Sequence, residues 1–329
     1  MLRYVVRRIL SSIPVIIIVG VFAFFLIHMV PGNPAYLILG NEATPEQVAV
    51  LTAKLGLDQP LPIQFWRWAT SCLRGDLGDS LFYNMSVTQV LTSKFEPTLI
   101  IVIYAMIVAM LTGIPLGIVS AIYRDRWPDR LCTGISMIGI SMPGFLIGLF
   151  GVMIFAIELR MFPSVGYVPI KEAGFFTSVF WYLSLPSITL GFQRAASLTR
   201  VTRSSMLEVL KADFLRTASA KGVPSQTVIR KHALGNAWIP IITAAGASFC
   251  AQLAGSVVVE SVFAWPGIGR MAAEAVFSRD TTTIMGTIIL TTVLYVLVQM
   301  VVDILYAFID PRIKSQYVNT KKQRRRVTA

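Results

Sequence analysis

Six stretches of this chain run for about 20 or more residues without a charged side chain, and this feature limits the fold more than any other. They cover residues 9–30, 97–123, 131–157, 173–193, 233–259 and 281–302. An α-helix needs about 20 mainly apolar residues to cross the hydrocarbon core of a bilayer. We therefore predict an all-α integral membrane protein with six transmembrane helices.

The overall composition agrees with a lipid environment. Of the 329 residues, 55% are hydrophobic and 14% are charged, whereas soluble domains carry about 25% charged residues. The three cysteines, Cys72, Cys132 and Cys250, show neither metal-binding spacing nor a paired framework. The two histidines, His28 and His232, fall on opposite predicted sides of the membrane. A membrane enzyme that uses a metal or a nucleophile is therefore poorly supported.

Basic residues are unevenly shared between the segments that flank these stretches. Of the 29 lysines and arginines, 21 lie before the first stretch, after the second, after the fourth or after the sixth. Loops rich in lysine and arginine stay in the cytoplasm. We therefore predict that both termini are cytoplasmic, and the membrane orientation accounts for the net charge of +12 without a nucleic-acid partner.

The hydrophilic segment 31–96 is predicted to form a small external subdomain of short helices. Thr44 is placed to cap a helix that has Pro45 at its first position and ends at Gly56. The aromatic residues near position 66 suit a helix at the headgroup boundary. Two interpretations stay open for this segment: a cover over the helix bundle, or a docking surface for another protein.

The second large hydrophilic segment, 204–238, is predicted to form a cytoplasmic helical hairpin. Four apolar residues recur at spacings of three and four, which indicates one face of a single helix. These are Leu207, Leu210, Phe214 and Ala218. Gly222 is suited to end this helix in the left-handed conformation, and Pro224 prevents its continuation. Ser225 is then predicted to cap a second helix.

Several motifs, in the same order along the chain, resemble those of the dipeptide/oligopeptide permease family of binding-protein-dependent ABC importers. They are residues 28–34 (HMVPGNP), 203–210 (RSSMLEVL), 213–222 (DFLRTASAKG), 232–237 (HALGNA), 265–270 (WPGIGR) and 310–313 (DPRI). Two departures stand out. Asn33 occupies a position where the family usually has aspartate, and Arg216-Thr217-Ala218 replaces the Glu-Ala-Ala for which the family's cytoplasmic loop is named.

The resemblance implies a six-helix (type I) ABC importer permease. Its parts would be the N-terminus and first span (1–30), the external segment (31–96), a five-helix core (97–310) and a basic cytoplasmic tail (311–329). Segment 204–238 would be the EAA-type loop, whose coupling helix enters a groove of an ATPase subunit. The residues expected to carry this coupling are Asp213, Arg216, Thr217, Ala218, Lys221 and Gly222.

The resemblance also implies partners. No G-x-x-x-x-G-K-[ST] phosphate-binding loop occurs in the sequence, so we expect this chain to hold no cofactor and to hydrolyse no ATP. ATP and Mg²⁺ would be bound by two separate ATP-binding subunits. A homologous second permease subunit would complete a heterodimer in the lipid of the inner membrane, and an extracytoplasmic peptide-binding protein would deliver the solute.

The turn between the fifth and sixth stretches is the second candidate site. Trp265, Pro266, Gly267 and Arg270 are predicted to contact the binding protein, although Trp265 equally suits a membrane-interface anchor. The sequence does not identify the solute: dipeptides and longer peptides rank first, then glutathione, with nickel chelates as an alternative. A secondary transporter is disfavoured, because the spans hold too few ionisable groups for a proton pathway and show no inverted repeat.

Overall fold

A computed structural model describes residues 2–29, 36, 39, 43–80, 82–169, 172, 174 and 177–309 of the chain. Helices dominate this part, which contains no β-strand beyond a single antiparallel bridge between Asp79 and Ser86. Three predictions lie outside the described residues: the motif segment 30–34 with Asn33, the 310–313 motif, and the basic tail 311–329.

The helices follow one another as predicted for a membrane bundle with two hydrophilic insertions. They are α1 (Leu2–His28), α2 (Pro45–Leu55), α3 (Leu61–Leu73), α4 (Val87–Ile122), α5 (Trp127–Ser141), α6 (Gly144–Gly151), α7 (Ser184–Leu210), α8 (Asp213–Ala220), α9 (Leu234–Gly255), α10 (Val257–Val262), α11 (Ile268–Phe277) and α12 (Thr281–Ile309). Wider π-helical turns continue α6 (Val152–Glu158) and lead into α7 (Thr177–Leu183) and α9 (Val228–Ala233).

Within the described residues, four helical segments are long and apolar enough to cross a membrane. They are Arg8–His28, Val87–Ile122, Ser225–Leu253 and Thr281–Tyr306, and a fifth is the bent pair Trp127–Ser141 with Gly144–Glu158. The predicted span 173–193 is not among them. It corresponds to the start of a helix that continues to Leu210 and carries three arginines. That sixth span therefore stays a prediction.

The span predicted over 131–157 is not one continuous helix. Its two halves, α5 and α6, meet at an angle of 104° at Met142 and Pro143. Proline lacks an N–H group and disfavours the helical conformation of the residue before it, and Met142 is accordingly extended (ψ 129°). The carbonyl oxygen of Met142 accepts a hydrogen bond from Gln193 Nε2 at 3.2 Å.

The described chain divides into two compact units. The first comprises Met1–Glu96 and Gly267–Leu294, and the second comprises Pro97–Pro266 and Tyr295–Ala329. In the first unit the predicted α2 is confirmed in detail. Thr44 forms a reciprocal capping box with Gln47, Pro45 is the first helical residue, and Gly56 ends the helix with φ 70°.

The first unit also has a buried polar cluster around Asp280, which is fully buried before α12. Ser80 Oγ donates to Asp280 Oδ2 at 2.5 Å, and Thr283 Oγ1 donates to the same oxygen at 2.7 Å. A buried carboxylate is stable only when such donors surround it. These hydrogen bonds hold the loop before α4 against the start of α12.

In the second unit, α4 and α7 are in close contact through small residues. A Cβ atom added at Gly113 would lie 2.6 Å from the carbonyl oxygen of Ala195, and one added at Gly191 would lie 2.6 Å from that of Ala105. Small residues of this kind allow transmembrane helices to approach closely. Helix α7 continues to Leu210, and the segment that contains the first candidate site follows it.

Candidate functional site

The candidate coupling helix is α8, which is separate from α7. The sequence predicts one helix through Leu210 and Phe214, but this is wrong, because the chain breaks at Lys211 and Ala212. Ala212 is extended (ψ 141°), and α8 begins at Asp213. An acidic residue in the first turn is favoured by the positive end of the helix dipole.

The far end of α8 is closed as predicted by Gly222, which has φ 79°. The Gly222 N–H donates to Ser219 O at 3.0 Å, and the Val223 N–H donates to Ala218 O at 3.2 Å. This is the Schellman pattern, in which a glycine in the left-handed conformation ends a helix. The predicted cap at Ser225 is wrong: Pro224 precedes the next helical turn, and Ser225 is its first residue.

The inner face of α8 is fixed to the second unit by Leu215. Leu215 is only 3% exposed and lies in a cluster with residues of α4, α7 and α9, including Met206 and Ile241. Ala218 and Val223 pack against the same cluster. Phe214, which the periodicity places on one apolar face with Ala218, is 47% exposed, whereas Ala218 packs against the cluster. The short helix is therefore rigidly attached to the body of the unit along one side.

The outer face of α8 is polar and exposed. It presents Asp213, Arg216, Thr217 and Lys221, together with the Gly222 turn. Arg216 Nη1 lies 3.6 Å from Asp213 Oδ1, and both side chains are mostly exposed. Since exposed ion pairs stabilise a helix little, these charges are available to another molecule. Ala218 differs from the other predicted residues because it is partly buried on the inner face.

A buried ion pair that the sequence does not reveal lies at the base of α7. Arg203 of α7 donates from both Nε and Nη2 to Asp129 of α5, each at 2.7 Å. Asp129 also accepts from Ser120 Oγ of α4 at 2.5 Å and from the Asp125 N–H at 2.9 Å. Three helices thus meet at the carboxylate of Asp129. Its partner Arg203 lies seven residues before the end of α7, the helix that leads to α8.

The second candidate site, at residues 265–270, is mainly internal. Trp265 is 1% exposed, and its Nε1 donates to the carbonyl oxygen of Pro97 at 3.0 Å. Its ring packs edge-on against Tyr167. The side chain is therefore too deeply buried to be a docking contact or an interface anchor, and this corrects both interpretations. Gly267 is also buried, whereas Pro266 is partly exposed.

Another buried carboxylate, that of Glu260, supports the Trp265 turn. Glu260 is fully buried, and its Oε1 accepts from Ser256 Oγ at 2.8 Å and from Thr98 Oγ1 at 3.1 Å. Its backbone oxygen accepts from the Trp265 N–H at 2.7 Å. The sequence gives one signal of this arrangement, an acidic residue directly after an apolar stretch.

Arg270, in the first unit, belongs to a polar group at the surface of α11. Its Nε donates to Glu274 Oε1 at 2.9 Å, and Tyr83 OH donates to Glu274 Oε2 at 2.7 Å. Burial opposes ionisation of Glu274, but the hydrogen bonds from Tyr83 and Arg270 outweigh it and lower the pKa of the carboxyl group. Burial and the bond to Glu274 raise the pKa of Tyr83 above its ordinary range.

Comparison with known protein families shows the family to which this chain belongs. Residues 113–315 match the family described as "Binding-protein-dependent transport system inner membrane component", and residues 1–102 match the N-terminal region of such components. The chain belongs to this family. It is thus a membrane-embedded ABC importer permease subunit, and a permease of this kind depends on ATPase and substrate-binding partners.

Two related permeases show how far the similarity extends. The chain is 43% identical over 314 residues to the glutathione transport system permease protein GsiC of Salmonella paratyphi A, and this covers 95% of the chain and 99% of the relative. It is 42% identical over the same length to GsiC of Escherichia coli K12.

Solved transporters show the same permease fold. An inward-facing structure of the MetNI methionine ABC transporter superposes with a TM-score of 0.55 at 17% identity, covering 68% of this chain and 97% of the other. An amino acid ABC transporter with histidines gives a TM-score of 0.51 at 15% identity, with coverages of 66% and 93%. At these identities the likeness extends to the fold alone.

Proposed function

We propose that this permease forms half of the transmembrane pathway of an importer for glutathione or other short peptides. The proposal is supported by the similarity to glutathione permeases, which extends over nearly the whole of both chains. Because these relatives are named as glutathione permeases, we rank glutathione and short peptides above nickel chelates. We place the permease in the cytoplasmic membrane with both termini in the cytoplasm, following the distribution of basic residues.

The coupling role of α8 rests on one observation: this helix is held on its inner face and free on its outer face. Leu215 fixes the inner face to the hydrophobic cluster, and the polar outer face is exposed. Such a helix moves with the body to which it is attached. Arg216 and Lys221 would pair with acidic residues of an ATPase subunit, because charge-assisted hydrogen bonds are among the strongest at interfaces.

The remaining components would be separate proteins. A homologous second permease would complete the pathway, and two ATPase subunits would bind ATP and Mg²⁺. When ATP draws these subunits together, each coupling helix would follow its subunit, and the permease helices would change from inward-facing to outward-facing. The Arg203–Asp129 contact would carry this movement from α7 to α5.

A binding protein outside the cell would deliver the solute to the external face. Because Trp265 is buried, the docking proposal depends on Arg270, which is partly exposed. An arginine on the external surface is suited to contact an acidic patch of the binding protein.

Copurification followed by an ATPase assay tests the proposal. The tagged chain should leave the membrane together with a second permease and an ATPase. Glutathione or short peptides, with the binding protein present, should then stimulate ATP hydrolysis by the complex. Arg216→Glu should weaken the association with the ATPase, whereas Arg126→Glu, an exposed charge change away from α8, should not. Copurification without any nucleotidase would overturn the coupling role.

A further inference from the structure

Arg194 lies on the part of α7 that packs against the middle of a membrane span. Its neighbours on either side, Gly191 and Ala195, contact α4 at Ala105 and Gly113. Both contact points fall within the candidate span Val87–Ile122. At 1.5 Å per residue they lie roughly 14 to 26 Å from its C-terminal end. Arg194 follows the fourth apolar stretch in the sequence, but α7 at this residue lies alongside the candidate span and not beyond its end.

Arg194 has no anionic partner among the residues that the structure describes. Its Nε is buried without a hydrogen-bond acceptor in the described ranges, and the ion pairs found within those ranges do not involve Arg194. The contrast with Arg203 is direct, because that residue of the same helix has both of its donor groups on Asp129. Arg203 thus has its carboxylate within the described chain, and Arg194 does not.

A second buried polar group without a hydrogen-bond partner lies on the same side of α7. Ser187 precedes Arg194 by two helical turns, and residues seven apart share one face of a helix. Ser187 is 2% exposed, and its hydroxyl has no hydrogen-bond partner within the described ranges. Buried polar groups are normally satisfied. This face of α7 therefore carries two buried groups, Ser187 Oγ and Arg194 Nε, whose hydrogen bonds the described residues do not supply.

The chemistry of the ligand follows from the donor. An ionised arginine within a membrane is costly unless it faces an anion or a water-filled cavity, and such residues mark substrate pathways. The planar guanidinium of arginine matches a carboxylate through two parallel hydrogen bonds. Every short peptide, glutathione included, carries a free carboxylate.

We propose that Arg194 is a specificity-determining residue that binds the carboxylate of the transported peptide within the membrane. This inference rests on the proposed peptide transport. It adds that the permease, and not only the external binding protein, discriminates among solutes by charge.

The test uses the complete complex in proteoliposomes, with binding protein at saturating concentration. Transport is measured for a dipeptide and for the same dipeptide as its C-terminal amide. The ratio of the two rates is compared between the wild type and Arg194→Gln. Because the same binding protein serves both, its own preference cancels in this comparison. We expect the ratio to fall on the order of tenfold, as for the loss of a charge-assisted hydrogen bond.

The matched control is Arg200→Gln, which removes an exposed arginine six residues further along α7 and should leave the ratio unchanged. An unchanged ratio in Arg194→Gln would overturn the inference. Equal loss of both rates would also overturn it, because Arg194 would then pair with the second permease subunit. If the glutamine variant does not assemble, Arg194→Lys decides: a ratio below wild type supports the inference, and an equal ratio rejects it.

A result that rejects peptide transport itself differs from one that rejects only the role of Arg194. If the wild-type complex transports neither peptide although it hydrolyses ATP, the proposed substrate class is wrong and the inference falls with it. If the wild type transports the free dipeptide and the ratio is the same in the variant, peptide transport stands and only the role of Arg194 is rejected.

Discussion

Arg203 and Asp129 are joined by two parallel hydrogen bonds, Nε to Oδ1 and Nη2 to Oδ2, each 2.7 Å long. The two residues are 74 positions apart in the chain. The Asp129 side chain is 5% exposed and that of Arg203 is 29% exposed. This pair connects the helix that leads to α8 with the first half of the bent span.

Asp129→Ala should destabilise the permease, because it leaves the guanidinium of Arg203 without its carboxylate in a partly buried site. We expect the free energy of unfolding to fall by about 2–4 kcal/mol, slightly less than for a fully buried pair. The measurement is thermal unfolding of the purified permease pair. Arg124→Ala, which removes an exposed pair with Asp125, should have no measurable effect. Equal unfolding temperatures for wild type and Asp129→Ala would contradict the prediction.

Gly222→Ala should weaken coupling, because alanine at φ 79° costs about 1–2 kcal/mol in the left-handed conformation. Gly222→Pro should abolish it, since proline cannot adopt this φ and lacks the N–H that bonds to Ser219. The readout is peptide-stimulated ATP hydrolysis by the assembled complex.

Gly235→Ala is the matched control for the Gly222 variants. Gly235 lies within α9, and a Cβ atom there would meet no atom within 4 Å. Alanine is favoured over glycine inside a helix, so stimulation should remain at the wild-type level. Wild-type stimulation in Gly222→Pro would reject the coupling assignment.

Gly113→Ala should separate α4 from α7. The new Cβ atom would lie 2.6 Å from the backbone oxygen of Ala195, and neither backbone can yield without a shift of a helix. Overpacking of this kind costs about 1–3 kcal/mol, measured as a lower unfolding temperature. Gly134→Ala adds the same methyl group to α5 where no atom lies within 4 Å. If both variants unfold like the wild type, the close contact is wrong.

Glu274→Gln should destabilise the first unit in a pH-dependent way. The pKa of Glu274 is lowered in the folded protein from its ordinary 4.5, so its ionised form contributes stability above pH 4.5. That contribution is lost as the pH falls through the folded pKa. The difference in unfolding temperature between wild type and variant should therefore be largest near neutral pH and shrink below pH 4.5. Gln89→Glu, an exposed change on α4, serves as the control. A difference in unfolding temperature that grows as the pH falls would refute the predicted direction of the pH dependence.

Features fixed by neighbours in sequence could be predicted. The Thr44 cap, Pro45 at the first helical position, and the glycine ends at Gly56 and Gly222 are all local. Each depends on the conformational preference of one residue and on hydrogen bonds within one turn. The apolar stretches predicted most of the spans for the same reason, because the membrane requirement acts on each stretch separately.

Features that depend on distant contacts could not be predicted. Periodicity predicts that Phe214 shares one helix face with Leu210, but the chain breaks before α8, and Leu215 lies in the core while Phe214 is exposed. The Arg203–Asp129 pair joins positions on different helices, and no spacing rule connects them. Trp265 suits a membrane interface as a residue type, but a carbonyl oxygen of Pro97 and the ring of Tyr167 hold it inside.

At Met142, in the bend between α5 and α6, the backbone carbonyl oxygen accepts a hydrogen bond from the side-chain amide of Gln193. A carbonyl oxygen released from a helix in hydrocarbon has no water to bond with, so this single amide compensates for the missing hydrogen bond. A change in the angle at this corner would require the hydrogen bond from the Gln193 amide to break. This hydrogen bond links the bend between α5 and α6 to α7, so we expect a rotation of α7 about its own axis either to break the bond or to change the angle of the bend.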